Sequence, residues 1–328
     1  MQMLEKTDIQ LGYIPLLDSV AILWAHHQGY FTEVGLQVTL VKETSWASLR
    51  DRLAFGVLDI AHCLSAMLPA AAIGEDQIGI PLQTPLVLST NRAFISLSQK
   101  LCYSLNISQN DSALESAEKV TSYLNQAHNI QLAHVFKQSI HHYCLRNWLA
   151  LADQNIAQSI RLVTLPPPFM VEAIAHKTID GFCVGEPWNI QAEIEGHSQV
   201  IARSQDIIPN IADKVLATTQ EWAQQYPRTL AALKQAVQRA QTDLACLSDL
   251  SPVWKLLEQF NIIRFHCAED TFVQQYHQIQ SILRSFGPQD MPRFEDFEWI
   301  LLQMKHWDHL QLSSQQMKKI AQSCIANL

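Results

Sequence analysis

Glycine is scarce in this chain, ten in 328 residues. None of the ten sits in a G-x-x-x-x-G-K-[ST] or G-x-G-x-x-G pattern, so the loops that wrap nucleotide phosphates in bare backbone are excluded. Cations are also short: 23 Lys plus Arg stand against 31 Asp plus Glu, a formal charge of −8, which argues against a partner as anionic as a nucleic-acid backbone. The seven cysteines (63, 102, 144, 183, 246, 267 and 324) are odd in number and scattered, with no C-x-x-C pair. Neither a disulfide framework nor a zinc knuckle is suggested, and a reducing compartment fits. Long apolar runs are missing: stretches such as residues 20–25 fall far below the roughly 18 residues of a spanning helix, so the chain reads as soluble. Residues 1–8 carry no basic segment, apolar core or small-residue cleavage site of an export signal, and the expected location is the cytoplasm.

What is present is a globular composition, with 48% hydrophobic residues, enough for a real core in roughly two domains. Residues 9–14 read as a strand, followed by Asp18 at a helix N-cap position and a terminal Gly29. Residues 36–41 alternate as a second strand, and Ser45 opens an amphipathic helix. Residues 57–61 and 80–88 continue the series, as in a parallel sheet with helical crossovers. A second series has strands at 94–97, 130–136, 160–165 and 179–184. The polar segment Ser108-Gln-Asn-Asp-Ser112 caps a helix running to about Asn125, and a helix over 139–152 lies between the second and third strands. Beyond Trp188 the strand signals fade to short runs at 200–202 and 215–218. From Glu221 onward the pattern is nearly all helical, with Pro227 at a first helical position. Short crossings near Thr90 and Pro187 would join the lobes, giving residues 1–90 plus 187–328 as lobe 1 and 91–186 as lobe 2, with a ligand cleft between them.

Few residues offer chemistry. Trp46 follows Ser45 at a helix start, where backbone N–H groups favour an anion; the other reading is packing between helix and sheet. His141 and His142 are adjacent, so they cannot chelate as an i, i+4 pair; each is a core or capping residue unless a ligand reaches it. In Gly181-Phe-Cys-Val-Gly-Glu-Pro-Trp188, Gly185 permits close backbone approach and Glu186 is held extended before Pro187, as at a cleft rim or an ordinary strand-to-helix turn. Lys214 opens a strand, where it can hold an anion or lie in solvent. Cys144 and Cys183 lie in no nucleophile motif. The expectation is therefore a binding protein without catalytic residues, metal or cofactor.

Several segments together resemble the nitrate/bicarbonate solute-binding family of ABC transporters. They are Leu11-Gly-Tyr-Ile-Pro-Leu-Leu-Asp18, Gln28-Gly-Tyr-Phe31, Thr44-Ser-Trp-Ala-Ser-Leu-Arg-Asp51, Asp59-Ile-Ala-His62, Arg146-Asn-Trp-Leu-Ala150, Leu165-Pro-Pro-Pro-Phe-Met170 and residues 181–188. The resemblance spans residues 9 to about 225. It implies an α/β periplasmic-binding-protein fold of type II, here with extra C-terminal helices, holding nitrate, nitrite or bicarbonate. Carried over by position, Trp46 resembles the pocket tryptophan, His141 the pocket histidine, Gly185 the backbone contact and Lys214 the anion-neutralising lysine. A lysine there goes with nitrate in the family, a carboxylate with bicarbonate and calcium. Where relatives place an amide side chain, this sequence has Asn91-Arg-Ala93, so Asn91 or Arg92 substitutes for it or the ligand differs; Ser45 and Glu186 are further candidates. With the unadorned N-terminus, the resemblance implies a cytoplasmic nitrate/nitrite sensor that releases an RNA-binding antiterminator of ANTAR type. The alternatives are the solute-binding subunit of a transporter, partnered by permease and ATPase, and an enzyme on the same scaffold such as a pyrimidine-precursor synthase.

Overall fold

The computed structural model describes residues 3–288 and 291–327, and the chain divides into two compact units. Unit 1 comprises Met1–Thr90, Ala212–Arg264 and Tyr276–Leu328; unit 2 comprises Asn91–Ile211 and Phe265–Gln275. Among the described residues no helix is long and apolar enough to cross a membrane.

Unit 1 is built on a five-stranded sheet. Its first four strands are β1 (Asp8–Tyr13), β2 (Gln37–Lys42), β3 (Ile60–Leu64) and β4 (Leu82–Thr90), and β10 (Ala212–Thr219) joins after the chain has passed through unit 2. The order is β2-β1-β3-β10-β4. Both β2 and β3 run parallel to β1, one on either side, so strand order reverses at β1; β10 is antiparallel to β3 and β4. The sheet is thus mixed, where crossovers alone predict a parallel one. The helix Val20–His27 follows β1 and ends as Gly29 turns left-handed at φ 75°, a conformation that costs glycine little. The helix Pro227–Cys246 starts on its proline and packs along Val20–His27. It buries Leu230, Leu233, Val237 and Leu244 completely, at roughly 1.5–3 kcal/mol each.

Unit 2 repeats the scheme with β5 (Phe94–Ser98), β6 (Leu132–His134), β7 (Leu162–Thr164), β8 (Gly181–Val184) and β9 (Ser198–Arg203). The order is β7-β6-β8-β5-β9, with β6 parallel to β7 and β8 and with β5 antiparallel to β8 and β9. A side chain at Gly181 would put its Cβ 2.7 Å from the Ser96 carbonyl of the neighbouring strand, a backbone atom that cannot move aside, so the segment must begin on glycine.

Three expectations shift. The strand expected at 57–61 is Ile60–Leu64, because Asp59 is tied into a bend: its carboxylate accepts from Gln10 N at 2.9 Å and Trp222 Nε1 at 2.9 Å and pairs with Lys6 at 2.6 Å. Asp18 lies inside the short turn Leu17–Ser19, and its side chain makes no cap. The second crossing falls after Ile211 rather than near Pro187, because β9 pairs with β5 and keeps residues 187–211 with unit 2.

Candidate functional site

In an open α/β sheet, ligands are held outside the carboxyl ends of the parallel strands, where strand order reverses. In unit 1 that edge is formed by the ends of β1, β2 and β3 and the start of antiparallel β10, and the chain places buried polar groups there. Past β2, Ser45 caps the helix Trp46–Ala54 by accepting from Ser48 N at 3.1 Å. That cap sets Trp46 in the first turn, 1% exposed, its ring 5.5 Å from His62. His62 on β3 pairs across the sheet with Leu216, and Leu64 with Lys214, so His62 and Lys214 share one face. Irregular register between β10 and β4 flanks Lys214 on both sides, the kind of bulge that re-aims a side chain.

Asp18 connects these groups. Its Oδ1 lies 2.9 Å from His62 Nε2, and its Oδ2 lies 3.2 Å from Lys214 Nζ and accepts from Ser89 Oγ at 3.4 Å. Lys214 also meets the Asp213 carboxylate at 2.8 Å. Burial would raise the Asp18 pKa, but the Lys214 ammonium and His62 outweigh it and hold the carboxyl far below the usual range. Burial likewise opposes the charge on Lys214, yet Asp18 and Asp213 keep its pKa above the ordinary lysine value. The ammonium is therefore permanent and already flanked by acids. Around it, Trp46 Nε1, His62 Nδ1 and Ser65 Oγ are buried without a hydrogen-bond partner among the described residues, an arrangement that costs free energy unless another molecule completes it.

Unit 2 places its candidates at the matching edge. His141 is fully buried in the first turn of the helix Ile140–Ala150, which Ser139 caps through His142 N at 3.1 Å. Gly185 and Glu186 follow β8 and are buried. Glu186 Oε2 accepts from Ile190 N at 3.1 Å, while Oε1 has no partner among the described residues; burial pushes this carboxyl up to about 8, so it is protonated at neutral pH. Asn91 is occupied otherwise. Its amide nitrogen donates to Pro209 O at 2.8 Å and its oxygen accepts from Ile211 N at 2.9 Å, which staples the end of the unit and leaves no spare amide group. Arg92 is the adjacent residue, half-buried. Cys144 and Cys183 are fully buried, as packing residues are.

Sequence reasoning named Trp46 and Lys214 but not Asp18, His62, Ser65 or Asp213. A signal existed, since Asp213 and Lys214 interrupt the apolar run 211–217 and His62 sits inside the apolar run 60–64. Charges there must be paired or functional.

Two five-stranded sheets with this strand order and helical cover define the periplasmic-binding-protein fold. The periplasmic nitrate-binding protein NrtA from Synechocystis superposes on it with a TM-score of 0.81 at 22% identity, over 99% of this chain and 87% of that one. The alkanesulfonate-binding protein SsuA from Xanthomonas axonopodis shares the fold at 0.68 and 15%, over 97% and 99% of the two chains. The chain belongs to the NMT1-like family, whose model matches residues 2–248. Among curated relatives, the bicarbonate transport ATP-binding protein CmpC of Synechocystis is 36% identical over 244 residues, 72% of this chain and 35% of that protein. The nitrate/nitrite binding protein NrtA of Nostoc is 31% identical over 244 residues, 72% of this chain and 54% of the relative. The chain thus spans about one third to one half of the length of the curated relatives it matches.

Proposed function

We propose that the chain is a solute-binding protein for a small inorganic monoanion, nitrate or nitrite ahead of bicarbonate, acting with ABC-type import machinery. The observation that carries this reading is the fully buried Lys214 ammonium grouped with the buried, unpartnered Trp46 Nε1–H and Ser65 Oγ–H. Nitrate and nitrite offer acceptors only, and a site of donors completed by such an anion leaves no polar group unpaired. Lys214 is shared with Asp18 and Asp213, so the neutral donors must supply much of the attraction. Those groups all belong to unit 1 and form the proposed site; Asn91 of unit 2 has a structural task instead. Names among the relatives, nitrate/nitrite binding and bicarbonate transport, support the import-linked reading. No observation favours the antiterminator-releasing sensor, so the transport role is preferred.

Calorimetric titration with nitrate, nitrite and bicarbonate, with sulfate as control, tests the reading. Saturable binding of nitrate or nitrite at one site is expected, with no response to sulfate and at least tenfold loss on Lys214→Ala. Absence of binding to all three monoanions removes the proposal.

A further inference from the structure

The acids that hold Lys214 carry an inference that rests on the anion-binding reading and deepens it. Asp18 Oδ2 lies 3.2 Å from Lys214 Nζ, and Asp213 Oδ1 lies 2.8 Å from it. An anion seated on that ammonium at about 3 Å is therefore no farther than about 6 Å from the Asp18 carboxylate. Coulomb energy falls as the inverse of distance, so Asp18 alone cancels at least half of the attraction that Lys214 exerts on each unit of ligand charge. Asp213 opposes that attraction by the same reasoning. Asp18 is held in place: it is 3% exposed, its Oδ1 faces His62 Nε2 at 2.9 Å, and its Oδ2 accepts from Ser89 Oγ at 3.4 Å. Buried charges such as these are little screened by salt.

We propose that Asp18 is a specificity-determining residue that restricts the site to monoanions and shuts out dianions of similar shape. It acts through Lys214 and across the site rather than by touching the ligand. The cost of stripping water from an ion rises steeply with its charge, while the return from Lys214 on each added charge is cut by the neighbouring carboxylates. A monoanion meets that cost with the help of the neutral donors Trp46 Nε1–H and Ser65 Oγ–H. A dianion pays a larger cost for the same donors and the same discounted ammonium. If Asp18 only held Lys214 in position, its loss would weaken every anion alike. If it sets the charge that the site accepts, its loss changes the ratio of dianion to monoanion.

Chlorate and sulfite are the probes, because they are isoelectronic pyramids that differ by one unit of charge. Calorimetric titration of the full chain is made near pH 8.5, where sulfite is a dianion, with nitrate, chlorate and sulfite in turn. The parent should bind sulfite at least about tenfold more weakly than chlorate. One charge at about 6 Å in a protein of effective dielectric about 20 corresponds to roughly a hundredfold in affinity. Asp18→Asn, which keeps the shape and removes the charge, should therefore raise sulfite affinity relative to nitrate by about ten- to a hundredfold. A variant that takes sulfite no better than the parent, relative to nitrate, overturns the inference while leaving the anion site standing. Should the variant fail to fold, the parent decides: without the gap between chlorate and sulfite, the inference falls. No binding of nitrate to the parent overturns both this inference and the anion-binding reading.

Discussion

In unit 1 the buried acids and bases hold one another as ions, whereas in unit 2 they are kept neutral by lack of counter-charge. Lys214 lies 3.2 Å from Asp18 and 2.8 Å from Asp213 in a chain of ion pairs, and Asp18 and Lys214 are shifted toward their charged forms. In unit 2, burial lowers His134 to about 4 and His142 well below its ordinary value, and raises Glu186 to about 8. Degree of burial is the same in both units; the partner decides the charge. One unit therefore brings fixed ions to its sheet edge, and the other brings groups that are uncharged but able to titrate.

The largest expected effect comes from breaking the ion chain. Lys214→Ala leaves Asp18 and Asp213 buried without their shared cation, and urea unfolding should show a loss of about 3–5 kcal/mol. A cost below about 1 kcal/mol would mean that the two carboxylates do not depend on this ammonium.

Next is Glu186. Its folded pKa, about 8, lies above the unfolded value of 4.5, so its contribution is complete below pH 4.5 and is lost as pH rises toward 8. By pH 7 this amounts to about 3 kcal/mol. Glu186→Gln, which keeps shape without the proton, should match the parent near pH 4.5 and exceed it in stability by about that amount at neutrality. Parallel pH profiles for parent and variant would show that the carboxyl is ionised in the folded chain.

The histidines act in the opposite direction. His134 is depressed from 6.5 to about 4, so its contribution is present above pH 6.5 and declines as pH falls toward 4. Acid denaturation curves should show about 2 kcal/mol lost by pH 5 from His134 alone, and His134→Gln should remove that slope. The smallest effects lie in the helix caps, which the two units share. Ser45→Ala and Ser139→Ala each remove an acceptor for a first-turn N–H and should cost about 1 kcal/mol, with Ser45→Ala also weakening anion binding through Trp46.

The comparison also shows which features were legible in the chain. Alternation located β2 and short strand-like runs located β1, β5 and β8, and the local capping chemistry of Ser45, the segment ending at Ser112, Ser139, Gly29 and Pro227 ended up where those residue types belong. Such features are settled within a few residues, and sequence records them directly. What escaped depends on distant partners. Asp18 looks like a cap until His62 and Lys214, 44 and 196 positions away, claim its carboxylate. β9 is an edge strand with polar Ser198, Gln199 and Arg203, so its apolar run is too short to announce a strand or to keep residues 187–211 in unit 2. The site was legible as two residues of unit 1, Trp46 and Lys214; the groups that hold and surround that lysine emerge only when β3 and β10 pair.

The most direct test of the central claim is a crystal structure of the chain grown with nitrate. Expected is a trigonal anion within hydrogen-bond distance, about 2.7–3.2 Å, of Trp46 Nε1 and Lys214 Nζ, with Asp18 still bridging Lys214 and His62. An anion bound elsewhere on the chain, with Trp46 Nε1 and Lys214 unchanged and unoccupied, would contradict it.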